Sequence, residues 1–143
     1  MTDSGIDNLV DLSIASLLQA SLATSFPTLP ILAGLEDNNP ELNLPYLVVY
    51  SVVDRKEGRE AVTVLTSTVE YVSISGLQNK TIVQSVMAAV EDALNIQPSS
   101  AILAEVTTDN LAYISWEATE RSRQEVGDRR HNTREMTVFA QPV

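Results

Sequence analysis

Ile82, Val83, Val86, Met87, Val90, Ala93 and Leu94 recur at three- and four-residue steps, the spacing that lines one face of an α-helix with apolar side chains. Lys80, Gln84, Glu91 and Asp92 occupy the other, wet side. Asn79 is placed to cap the start, and Asn95 followed by Pro98 ends the pattern. A helix over 79–95 with one greasy face needs an apolar surface to lie on. The neighbouring sequence reads as the strands of a sheet that would supply it.

Tyr46–Val53 is almost continuously apolar, β-branched and aromatic, which predicts a strand buried on both faces and central in its sheet. Asp54–Arg59 makes a charged turn. Ala61–Ser75 is rich in Val, Thr, Ile and Tyr; it is long for one strand, so a bend or bulge is expected near Thr66–Thr68. Leu111–Thr119 and Thr133–Ala140 read as two further strands, and Ile102–Thr107 carries a weaker β pattern. Gly127-Asp128 suits a two-residue hairpin turn. That turn would pair Val126 with Arg129, Glu125 with Arg130 and Trp116 with Phe139. It would also oppose Arg121 to Arg134 and Glu120 to Glu135, so a slipped register or a bulge stays open.

Ahead of the strands, Ile6, Leu9, Val10, Ile14, Leu17 and Leu18 predict a first helix over about 6–22, with Ser4 and Asp7 in the spacing of a capping box. Four of the six prolines (Pro27, Pro30, Pro40, Pro45) then make 27–45 an extended connector. Ile31, Leu32 and Leu35 could pin it to the core. The whole predicts a single α+β domain over 1–143: a mostly antiparallel sheet of about four strands, two flanking helices and a long C-terminal hairpin. Its 120–132 portion, with Val126 its only large aliphatic residue, is expected to project as an arm.

Charge narrows the function. The 143 residues carry 9 Lys+Arg against 19 Asp+Glu, a formal charge of −10. Residues 1–54 hold seven acids and no Lys or Arg, while five of the nine basic residues lie between Arg121 and Arg134. This distribution disfavours duplex DNA binding as the main task. It suits self-association, with Arg121, Arg123, Arg129, Arg130 and Arg134 of one copy meeting Asp7, Asp11, Glu36 and Asp37 of another.

The chemical inventory is thin. There is no cysteine, which excludes a thiolate metal site and a cysteine nucleophile. His131 stands alone in a polar stretch and reads as solvated. The five glycines are too dispersed for a phosphate-binding loop. Glu36-Asp37 and Glu91-Asp92 lack calcium-loop spacing. Tyr46, Tyr50 and Tyr71 read as core residues on strands, not as a base-stacking platform. No cofactor and no catalytic residue is expected. No signal segment is expected at Met1–Gly5, and no apolar run reaches the ~18 residues of a membrane span.

The order of elements carries a resemblance. A short helix and a proline-broken connector lead into Pro45-Tyr46-Leu47-Val48-Val49. A charged turn, a strand ending Ser73-Ile74-Ser75, one amphipathic helix and a hairpin ending Met136-Thr137-Val138-Phe139-Ala140 follow. Over nearly its whole length the chain resembles the tail terminator (tail completion) and related neck proteins of long-tailed bacteriophages. The resemblance implies a non-enzymatic virion protein, assembled in the host cytoplasm, forming a six-fold ring at the tail–head junction. Its implied partners are further copies of itself, the tail tube protein and the head connector or head-completion protein, with DNA passing through unbound. Alternatives are a head-closure or adaptor protein of the same neck, a small intracellular dimeric binding module, or an enzyme using carboxylates alone.

Overall fold

A computed structural model describes residues 5–34, 45–57, 62–74, 80–95, 111–126 and 129–142. In chain order the elements are α1 (Ile6–Leu22), β1 (Ile31–Ala33), β2 (Tyr46–Glu57), β3 (Val62–Ile74), α2 (Lys80–Leu94), β4 (Leu111–Val126) and β5 (Arg129–Pro142). Among the described residues the strands form one five-stranded sheet in the order β1-β2-β3-β5-β4. β1 runs parallel to β2, and every other neighbouring pair is antiparallel. The fold is α+β, as the sequence predicts.

Alternation along the strands builds the core. Leu47 and Val49 of β2, Leu65, Val69 and Tyr71 of β3, Met136, Val138 and Ala140 of β5, and Ile114 and Trp116 of β4 share one face of the sheet. Against it lie Ile6, Val10, Ile14, Leu17, Leu18 and Leu22 of α1, with Val83, Val86, Val90, Ala93 and Leu94 of α2. Both helices therefore cover the same face, each contributing residues spaced three and four apart. α1 lies mainly on β2 and also touches β1, α2 and β5. The Gln19 side-chain amide donates to the Ile31 carbonyl (2.9 Å), and Ser51 reaches Asp11. α1 thus runs antiparallel to β1 and β2.

Several boundaries differ from the sequence expectations. The N-cap residue is Gly5, with no side-chain cap, and Asp7 accepts the Asn8 amide; Ser4 of the expected capping box lies outside the described residues. The 27–45 connector is more than a linker, because Ile31–Ala33 pair with Leu47–Val49 as a strand. Gly34, at φ +83°, turns the chain away after its amide has donated to the Val49 carbonyl (2.6 Å). Leu35 lies outside the described residues, as do Asn79, the Ile102–Thr107 segment and the Gly127-Asp128 turn.

β2 is flanked on both sides, but only Leu47–Val49 are fully buried; Val52 is 61% exposed. β3 is one unbroken strand through Thr66–Thr68, and the irregularity falls in its partner, between Val53 and Arg55. The hairpin pairs Val126 with Arg129 and Glu125 with Arg130, and it does oppose Arg121 to Arg134 and Glu120 to Glu135. A bulge between Ala118 and Glu120 then puts Trp116 opposite Val138 instead of Phe139. The described part of 120–132 is not a projecting two-stranded arm. Arg129–Arg134 pair on their other side with Val69–Ile74, so the ribbon is three strands wide.

Candidate interface surfaces

The register sorts charge by face and by end. On β5, Arg130, Asn132 and Arg134 share the face of Met136 and Val138, the helix-facing side. Arg123 stands opposite Asn132 on β4 and joins that side, whereas Arg129, opposite Ile74, lies on the open face. Arg123 and Arg129 are exposed and Arg134 is half-buried. Arg130 is only 8% exposed, which withdraws it from the expected docking set. Arg121 occupies the rung opposite Arg134.

The acids sit elsewhere. Asp11 is at the level of Ser51 and Ser67, and Asp7 lies one helical turn beyond it, towards the Val53 end. Arg130 is at the level of Ser73, six residues further along β3 than Ser67, roughly 20 Å at ~3.3 Å per residue. The fold therefore holds Asp7 apart from Arg123 and Arg129 within one subunit. Glu36 and Asp37 lie outside the described residues.

Asp11 is not an exposed partner for arginine. It is 5% exposed, and its Oδ1 accepts from the Ser51 hydroxyl at 2.5 Å. Burial pushes its pKa up to about 6; the Ser51 hydrogen bond pulls the other way, and the nearby Asp7 charge adds to the rise. Ser51 is in turn 2.7 Å from Ser67. A lone aspartate among the apolar positions of a helix was the available sign, but its partners come from strands 40 and more residues away.

The open face carries a second polar chain. His131 Nδ1 lies 2.5 Å from Glu70 Oε1, and the Tyr50 hydroxyl donates to Glu70 Oε2 at 3.0 Å. His131 is thus a strand residue with a carboxylate partner, not a solvated loop histidine. Tyr50 is tied to this face, and of Tyr46, Tyr50 and Tyr71 it is Tyr71 that is fully buried in the core. Burial, then the charge and hydrogen bond of Glu70, push the Tyr50 hydroxyl up to about 12. Thr68, Thr133, Glu135 and Thr137 continue the face through the same alternation. Along β2, β3 and β5 this middle stretch carries acids and hydroxyls beside Val48 and the exposed Val52, with no Lys or Arg. Among the described residues no group of three or more His, Asp or Glu side chains could hold a metal ion, and no helix is long and apolar enough to cross a membrane.

No protein-family model and no curated protein matches the chain. Among solved structures it is similar to a chain from the "Virion of native gene transfer agent (GTA) particle". The TM-score is 0.62 at 15% sequence identity, over 93% of this chain and 96% of that one. Likeness at that identity is likeness of fold, end to end.

Proposed function

We propose that this chain is a structural virion protein that forms a ring, six-fold, which caps a phage-type tail tube, ends its polymerisation and joins it to the head connector. The observation that carries the reading is the end-to-end match in fold to a chain of a virion particle. The work is contact and shape, with no catalytic step. The segregation of charge supports it. A ring is closed by a heterologous contact, in which one patch meets a different patch on the next copy. Arg123, Arg129 and Arg134 at the hairpin end, with Arg121 beside them in the ladder, would face Asp7 of the neighbour together with Glu36 and Asp37. Each exposed pair contributes on the order of 0–1 kcal/mol, but several recur at every contact. The open face, with Glu70 and Glu135, suits a lumen through which DNA slides without sticking.

Two measurements test this. Native mass should show a closed oligomer, and the reversal of Arg123 and Arg134 to Glu should dissociate it. Adding Asp7→Arg to those changes should restore part of the assembly. A dimer in native mass would favour the small binding module instead. Electron microscopy of the protein mixed with growing tail tubes should show rings on tube ends and arrested growth. Rings that leave tube growth untouched would transfer the protein to head closure or to an adaptor position in the neck.

A further inference from the structure

Asp11 sits where packing alone would ask for an aliphatic side chain, between the apolar residues Val10 and Ile14 of α1 and the sheet. Its hydrogen bonding is lopsided. With Asp11 ionised, the one proton of the Ser51 hydroxyl goes to Asp11 Oδ1 at 2.5 Å, and the 2.7 Å contact between Ser51 and Ser67 is then donated by Ser67. The chain runs from β3 to β2 to α1 and ends on one carboxyl oxygen. Oδ2 faces Gly34 at the end of β1; a Cβ on Gly34 would stand 3.9 Å from it. A buried carboxylate needs several donors to offset the loss of water, whereas a protonated carboxyl needs fewer.

Among the described residues no cation compensates. The charge that bears on Asp11 is Asp7 of its own helix, which is of the same sign. β2 and β3 present the two serines, the end of β1 presents Gly34, and the buried residues of α2 are Val83, Val86, Val90, Ala93 and Leu94. β5 contributes Met136 and Val138 to the same core.

We propose that Asp11 is a proton-controlled latch between α1 and the sheet: protonated, it seats the helix, and ionised, it loosens α1 and the end of β1 at Gly34 ahead of the other strands. The inference rests on the fold alone and stands apart from the ring reading. The sign follows from linkage. The folded value of about 6 lies above the ordinary aspartate value of 3.8, so the seated state binds the proton more tightly. The contribution to docking is fully present below about 3.8, is lost as the pH rises from there through about 6, and is level above that.

Hydrogen exchange of the full chain tests the latch. Corrected for intrinsic rates, α1 amides should be about tenfold better protected at pH 5 than at pH 8, the gain in proton affinity at the lower pH. Amides of β3 and β5 should change by less. Asp11→Asn should remove the pH dependence, and Ser51→Ala, which deletes the hydrogen bond favouring the charge, should move its onset to higher pH. Equal α1 protection at the two pH values, an equal shift in β3 and β5, or a pH dependence that survives in Asp11→Asn would overturn the proposal. If Asp11→Asn does not fold, a carbon-13 carboxyl titration of the unaltered protein decides: Asp11 titrating with the ordinary aspartates near pH 4 would overturn it too.

Discussion

The indole N–H of Trp116 donates to the carbonyl of Leu94 at 2.7 Å inside the core. Leu94 closes α2, and the last carbonyls of a helix have no partner within it. One side chain from β4 therefore satisfies a buried acceptor that the helix cannot satisfy itself, while its rings fill the space between α2 and the sheet. Trp116→Phe keeps most of the apolar bulk and leaves that carbonyl unpaired. The expected cost is about 2 kcal/mol, read as a lower urea midpoint by circular dichroism at constant slope. An unchanged midpoint would mean that water takes over the acceptor. The sequence shows Trp116 as an apolar strand residue, but not its partner 22 positions away. The same holds for Asp11 and Ser51, and for His131 and Glu70, which are 61 positions apart. Residue chemistry is legible locally; the pairing that gives it a role is not.

At the scale of elements, α2 and the β4–β5 hairpin behaved differently. The helix is readable to within a residue because most of its apolar period is buried: Val83, Val86, Val90, Ala93 and Leu94 face the core, Met87 is half-buried, and Ile82, expected on the same face, is 52% exposed. Val86→Asp would place an unpaired charge against the sheet and should cost several kcal/mol; a soluble variant with an unshifted thermal midpoint would contradict the packing. The hairpin was readable only as far as the bulge. Counting back from the turn gives the rungs down to Glu120–Glu135, and beyond it the count is off by one. Thr119 is the extra residue between rungs Ala118–Met136 and Glu120–Glu135. Deleting it should regularise the ladder and leave Trp116 opposite Val138. Tryptophan emission should stay as blue-shifted as in the parent chain, and a red shift would show that the bulge, not the ladder beyond it, holds the indole inward.

Across the whole molecule, the −10 charge is not spread evenly. The strand alternation sends Glu70 and Glu135 to the open face and Arg130 and Arg134 to the other, while α1 carries its acids away from the hairpin end. Such a surface should bind duplex DNA weakly or not at all at physiological salt. Sub-micromolar binding in a titration, falling steeply with added salt, would contradict the placement of an acid-lined face towards DNA.

Local pattern was enough to determine the class of this protein: two amphipathic helices, β-branched strands, no thiol chemistry and an acidic first third. Those properties depend on residues within a few positions of each other, where the helical and strand periods are set by backbone geometry. Only the tertiary structure decided that Ile31–Ala33 is an edge strand, that β5 is flanked on both sides, and that Asp11 is buried while Arg123 is exposed. Each of these depends on which strand lies beside which. That choice is made by burial and hydrogen bonding summed over the whole sheet, and a single bulge is enough to change it.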